Sequence, residues 1–158
     1  MSDFLSNLPR HFRIGLQLGV VVVMVFFIFM GYALRTAPRM SREAETSLNA
    51  FYLRCQQHSY KRAYQLLAPE LQDSMTAADI AKRFGEFEET NGRIQKWAPA
   101  AGGSINFGGR ICLFPPFVDY THRLMGTEPK GIGEATVVYI RMVPRNGQWR
   151  LQKLSFMR

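Results

Sequence analysis

Gly19-Val20-Val21-Val22-Val23-Met24-Val25-Phe26-Phe27-Ile28-Phe29-Met30 carries no charge and no strongly polar side chain. The solvent this stretch is made for decides how the rest of the chain is read. The charge-free run around it extends from Ile14, just after Arg13, to Leu34, just before Arg35, a length of 21 residues. At ~1.5 Å per residue a helix of that length spans ~30 Å of hydrocarbon. A buried core element this apolar needs partners on every side, and a domain this small offers too few. A cleaved signal peptide has an apolar region of only ~7–15 residues followed by small residues. Here the run is longer, and Tyr32-Ala33-Leu34-Arg35-Thr36-Ala37 offers no good A-x-A site. The expected organisation is an N-terminal tail at 1–13, an uncleaved transmembrane helix at 14–34, a linker at 35–42 around Pro38, and a soluble domain at 43–158.

The flanks bear on orientation. Arg10 and Arg13 precede the span, and Arg35, Arg39 and Arg42 follow it, so the positive-inside rule nearly cancels. A short tail with two Arg and a His is ordinarily retained in the cytoplasm, so the C-terminal domain is expected outside the cytoplasm. The expected location is a bacterial inner membrane. Gly15 and Gly19, four residues apart, would let a second helix approach closely, although glycine is also common in spans generally. Arg35, Arg39 and Arg42 are candidate contacts for anionic lipid headgroups.

The formal charge of +8, from 20 Lys and Arg against 12 Asp and Glu, first suggests nucleic acid. Its distribution excludes that reading. Residues 1–42 hold five Arg against one Asp, so 15 basic and 11 acidic residues remain for the domain, a net of +4 without a dense cluster. Cys55 and Cys112, 57 residues apart, have no metal-site spacing. Pairing in an oxidising compartment and two buried free thiols are equally ordinary outcomes.

Past the span, Ala44, Leu48, Phe51 and Cys55 form one apolar stripe at helical spacing, with Glu43 and Glu45 early in it. Tyr60, Ala63, Tyr64 and Leu67 predict a second helix from Ser59 to Leu67, ended by Pro69. Thr76-Ala77-Ala78-Asp79 resembles a capping box with Asp in place of Glu, and opens a third helix that carries Ile80, Phe84 and Phe87 on one face and stops at Asn91-Gly92.

From Arg93 the period becomes that of strands. Ile105, Phe107, Ile111 and Leu113 share a face, with a bend at Gly108-Gly109, and Pro115-Pro116 closes the run. Ala98 to Ser104 predicts a loop. Phe117 to Leu124 alternates loosely, Ala135 to Val143 is a clear strand, and Asn146-Gly147 turns the chain into a last strand from Trp149 to Phe156. Three helices followed by an antiparallel meander is an α+β pattern.

Three segments then carry a resemblance: Phe51-Tyr52-Leu53, the run Ser59-Tyr60-Lys61-Arg62-Ala63-Tyr64-Gln65-Leu66-Leu67-Ala68-Pro69-Glu70-Leu71-Gln72, and Asn146-Gly147-Gln148-Trp149-Arg150-Leu151. Together they resemble membrane-anchored members of the NTF2-like superfamily, over about residues 43–158. The resemblance implies a cystatin-like α+β cone, three helices packed on a bent antiparallel sheet. The superfamily hosts enzymes, ligand binders and scaffold subunits, among them inner-membrane scaffolds of type IV secretion.

Its enzymes, such as ketosteroid isomerase, set an Asp or His base beside a Tyr or acidic donor in a desolvated cavity. Tyr60, Tyr64, Tyr120 and His122 are the candidates for such a cavity here. Asp119 falls on the opposite face of its strand from Tyr120 and His122, so all three cannot converge. Cys55-Gln56-Gln57-His58 places a thiol and an imidazole at i and i+3 without a third ligand, and Cys112 with His122 across neighbouring strands is a second candidate pair, as nucleophile and base. Gly131-Ile132-Gly133 lacks the strand and helix of a phosphate cradle. Glu86, Glu88 and Glu89 read as a solvated helix face, and Trp97 and Trp149 as large anchors.

Phe114-Pro115-Pro116-Phe117 is the most unusual soluble segment: two prolines remove two donors while the flanking aromatics need burial. It is either a rigid corner covered by the domain itself or, with Gly15 and Gly19, a partner contact. The sequence therefore predicts a non-catalytic single-pass membrane protein, an accessory or scaffold subunit without cofactor, catalytic set or metal. Its expected partners are the membrane and other membrane proteins of a complex, or further copies of itself. The alternative is an anchored ligand binder or enzyme that uses the cone.

Overall fold

The computed structural model describes residues 10–99, 109–113, 116–127 and 136–157. It is an α+β protein. Helix α1 spans Arg10–Gln56, α2 Tyr60–Tyr64, α3 Pro69–Gln72 and α4 Ala77–Asn91; strands follow at β1 Ile94–Pro99, β2 Gly109–Leu113, β3 Pro116–Gly126, β4 Val137–Arg145 and β5 Gln148–Met157. The chain divides into two compact units, residues 1–38 and 39–158.

In the first unit, α1 is apolar and unpacked. Its described large side chains from Ile14 to Leu34 are exposed, from 41 % at Met30 to 71 % at Ile28 and Leu34. This is one helix long and apolar enough to cross a membrane, near the N-terminus. The linker expected at 35–42 is helical instead, with Pro38 inside α1. Proline costs a helix the N–H that would serve the carbonyl four residues earlier, here that of Leu34. The helix nevertheless continues, and residue 38 coincides with the boundary between the two units.

In the second unit, the end of α1 buries Ala44, Leu48, Phe51, Tyr52 and Cys55 completely. Tyr52 follows Leu48 by four and so widens the predicted stripe. Between α1 and α4, the helix expected over Ser59–Leu67 is shortened to α2, and a second short helix, α3, follows it. The first ends at Tyr64, and Leu67 instead forms a parallel bridge with Leu151. Ala68 N–H donates to the Leu151 carbonyl at 2.7 Å, and Leu151 N–H to Leu66 at 3.0 Å, so this segment covers part of the β5 edge. Pro69 opens α3 rather than merely ending α2, because the first helical position has no use for its missing N–H.

The third predicted helix forms as read. The Thr76 hydroxyl accepts from Asp79 N–H, and the Asp79 carboxylate accepts from Thr76 N–H at 2.8 Å, the full capping box. Ile80, Phe84 and Phe87 are buried, and Gly92 ends the helix at φ 73°.

All strand pairs are antiparallel. The order is β1-β3-β4-β5, and β2 also pairs with β3. Register explains the double use of one strand: β1 pairs with the end of β3 (Ile94 opposite Gly126, Pro99 opposite His122), while β2 pairs with its beginning (Gly109 opposite Tyr120, Leu113 opposite Pro116). Strand β1 has no named counterpart in the sequence reading, and it takes in Ala98 and Pro99 of the expected loop. Asn146 and Gly147 adopt φ 52° and 75°, the left-handed pair a two-residue hairpin requires. Phe84 joins the layers, meeting Phe51 edge-on at 6.0 Å and Phe156 at 5.3 Å. Ile105, Phe107, Phe114, Pro115 and the Gly131–Gly133 run lie outside the described residues, as do the side chains of Ile111, Cys112 and Leu113.

Candidate functional site

Alternation on β3 sends Val118, Tyr120, His122 and Leu124 towards the helices, and all four are buried. His122 meets Tyr52 of α1 in a near-parallel stack, 5.7 Å between ring centroids, and Tyr52 stacks in turn on Trp97 of β1 at 5.0 Å. Tyr120 completes the group edge-on to His122 at 5.6 Å. Two members are tethered: the Tyr120 hydroxyl donates to the Ser41 carbonyl at 2.9 Å, and Trp97 Nε1 donates to Asn49 Oδ1 at 2.9 Å. The other two are not, since the Tyr52 hydroxyl and His122 Nδ1 are buried with no hydrogen-bond partner among the described residues.

Burial sets the chemistry of this cluster. It disfavours the charged imidazolium and pulls His122 down to about 4, and it pushes the Tyr120 phenol up to about 12 and that of Tyr52 higher still. At neutral pH the cluster is uncharged. A general base works best with a pKa near the operating pH, and His122 lies well below it. Tyr120, the natural oxyanion donor, already has its proton on Ser41.

The four residues proposed from sequence to share a cavity do not assemble. Tyr120 and His122 belong to the aromatic cluster, whereas Tyr60 and Tyr64, half-buried at the two ends of α2, bond elsewhere. The Tyr64 hydroxyl donates to the Gln72 carbonyl at 3.2 Å, and Gln72 Nε2 donates back to the Tyr64 carbonyl at 3.0 Å. The Tyr60 hydroxyl lies 3.0 Å from His58 Nδ1.

That second group centres on the end of α1. His58 takes φ 54°, leaving the helix through the left-handed region, and its Nδ1 is 3.7 Å from Glu88 Oε2. Glu88 is the exception to the expected solvated face: Glu86 and Glu89 are exposed, but Glu88 turns inward and its Oε1 is buried without a partner among the described residues. Cys55 is a buried free thiol, raised far above its ordinary value by burial and then by the Glu88 charge. A protonated, enclosed thiol is a poor nucleophile and a poor ligand. Among the described residues no three His, Cys, Asp or Glu side chains are grouped to hold a metal ion.

On the opposite face of β3, Asp119 is separated from Tyr120 and His122 as the alternation requires. It accepts two hydrogen bonds from Arg141, Nε at 2.7 Å and Nη2 at 3.0 Å, and Nη2 also donates to the Tyr139 hydroxyl at 3.1 Å. The Arg141 guanidinium also lies 4.4 Å from the Phe117 ring centroid. Pro116 and Phe117, candidate partner contacts from sequence, are thus half-buried, and Pro116 takes the first position of β3, where a missing N–H is tolerated. Gly15 and Gly19 stand in open space on α1. Arg35, Arg39 and Arg42 are exposed, and Arg39 pairs with Glu43 at 2.7 Å. Trp149 is buried and its Nε1 donates to Glu43 at 3.3 Å.

The sequence marks neither Tyr52 nor Arg141 as a site residue, and it places Glu88 only on a solvated helix face. Tyr52 was legible as the i+4 partner of Leu48, whereas Arg141 and Glu88 depend on which residues face them across elements. No family model, no curated protein and no solved structure matches the chain.

Proposed function

We propose that this is a single-span membrane protein that presents an NTF2-like domain outside the cytoplasm, as a non-catalytic accessory, scaffold or assembly subunit of a membrane protein complex in a bacterial inner membrane. The observation that carries the reading is the unpacked apolar surface of α1 between Ile14 and Leu34, which water does not solvate well and hydrocarbon does. The domain supports a structural role. Its interior is occupied by Phe51, Phe84, Phe87, Ile140, Met142 and Leu151, and burial holds His122, Tyr120, Tyr52 and Cys55 neutral rather than poised near the working pH.

The test is purification of the full-length protein from its native membrane in mild detergent, with mass spectrometry of what travels with it. A stoichiometric set of membrane proteins is expected; a solitary protein refutes the subunit reading. Recovery of a mature chain beginning near Thr36 or Ala37 would refute the retained span. Fluorescence from a reporter that folds only in the cytoplasm, fused after Arg158, would refute the outward orientation.

A second reading has its own observation. The Tyr52 hydroxyl and His122 Nδ1, without a partner among the described residues, offer a donor and an acceptor site inside the domain, as a small neutral polar ligand would require. Native mass spectrometry that finds a small molecule retained by the solitary protein would favour it.

A further inference from the structure

The outward face of the sheet is electrically one-sided. The five strands contain a single carboxylate, Asp119, and Arg141 holds both of its oxygens. Directly across from Arg141 in the β4–β5 ladder stands Lys153, a like-charge pair of the kind that destabilises a sheet. Its ammonium lies 5.4 Å from the Tyr139 ring centroid, and no carboxylate is its partner among the described residues. Arg123, at the β3 position opposite Val137, and Lys96, opposite Met125, are also exposed and without an acidic partner among the described residues. Of the other strand cations whose side chains are described, two are committed at the rim: Arg145 to Glu70 at 2.6 Å and Arg150 to the Gln65 carbonyl at 2.8 Å. On the same face by register are two exposed apolar side chains, Met125 at 38 %, opposite Lys96, and Met157 at 43 %, opposite Val137.

We propose that this sheet face, centred on Lys96, Arg123 and Lys153, is the docking surface for an acidic polypeptide segment of a partner protein. The proposal rests on the subunit reading above and names the surface that serves it. Charge complementarity selects the occupant. Three cations without an acidic partner among the described residues lie across four strands, about 14 Å at the usual strand spacing, with Lys96 and Lys153 offset by about 20 Å along them. One extended segment of about eight residues covers the resulting span of about 25 Å. The methionines supply the adaptable apolar contact common at such surfaces.

A second copy of this chain is disfavoured, since a two-fold interface through this face would oppose the cations to one another. Single-stranded nucleic acid needs aromatic platforms, but the Phe117 and Tyr139 rings already have Arg141 and Lys153 over them.

The experiment uses the full-length protein in non-ionic detergent and a fluorescent peptide of 12 alternating Glu and Thr residues, with the same peptide carrying Gln for Glu. The Glu peptide is expected to bind at least ~10-fold more tightly. The preference is expected to collapse towards one in Lys96→Gln/Arg123→Gln/Lys153→Gln and to persist in Lys61→Gln/Arg62→Gln/Lys82→Gln, which removes equal charge from exposed helical positions. Equal loss in both variants, or retention in both, overturns the proposal, as does tighter binding of a 12-nucleotide oligo(dT). In the native membrane, a photocrosslinker at Thr121, in the middle of the face, is expected to capture an acid-rich segment of another protein. Capture of another copy of this chain alone overturns the proposal. The two readings fail separately. A co-purified set that is unchanged in Lys96→Gln/Arg123→Gln/Lys153→Gln refutes the docking face and leaves the subunit reading standing, whereas a solitary wild-type protein refutes both.

Discussion

His122 should make the domain acid-sensitive in a defined pH window. The buried imidazole is lowered from its ordinary 6.5 to about 4 by desolvation. Below pH 6.5 the unfolded chain takes up a proton at this site while the folded protein does not, so acid favours unfolding. The contribution is fully present above 6.5, declines as pH falls from 6.5 to about 4, and changes no further below that. At ~1.36 kcal/mol per pKa unit the ceiling is about 3 kcal/mol, and residual solvent access at the ring edge reduces it to about 2 kcal/mol. The assay is chaotrope unfolding of the full-length protein in non-ionic detergent, followed by fluorescence of Trp97, which stacks on Tyr52 one ring away from His122. Wild type is compared with His122→Phe, which keeps an aromatic ring and cannot titrate. From about pH 7 to about pH 4.5, wild type is expected to lose about 2 kcal/mol more than the variant. Glu43, Glu70 and Asp79, all lowered by their hydrogen bonds, also lose stabilisation on acidification, but equally in both proteins. Parallel pH curves for the two proteins would refute the reasoning, as would an imidazole proton resonance of His122 that titrates near pH 6.5.

Three further outcomes are expected. Gly126→Ala places a Cβ onto the Asn91 backbone carbonyl, which cannot swing aside, and should cost at least about 2 kcal/mol in the same unfolding assay; a neutral result would mean that α4 and β3 are not in this contact. Thr76→Ala removes the capping box and should cost about 1 kcal/mol, with Thr76→Ser restoring most of it. Cys55 should resist maleimide in the folded protein near neutral pH and react once the chain is unfolded, measured on its own peptide by mass spectrometry; rapid labelling of the native protein would show that the thiol is accessible.

Much of the architecture was legible because the signals are local. An uncharged run from Ile14 to Leu34, a helical stripe at Ala44, Leu48, Phe51 and Cys55, the Thr76–Asp79 cap and the Asn146-Gly147 turn each act within a few residues. Each appears in the structure where the sequence puts it. The separation of Asp119 from His122 followed from strand alternation alone.

The misread elements are those decided by distant partners. Proline at residue 38 reads locally as a break, yet the helix runs through it. Leu67 has helical spacing, but the Leu66 and Ala68 backbone groups bond to Leu151, more than eighty residues away, and strand edge pairing wins over a further helical turn. The candidate site shows the same division. Tyr60, Tyr64, Tyr120 and His122 are plausible by type, but only packing separates the first two from the last two and adds Tyr52 and Trp97. Composition and period thus determined the apolar helix, the α+β order and the two faces of β3, because those depend on each residue's own chemistry and its near neighbours. Only the tertiary structure decided that His122 is buried and neutral, that Asp119 is consumed by Arg141, and that Lys96, Arg123 and Lys153 are left together on one face, because burial and charge balance belong to surfaces assembled from remote parts of the chain.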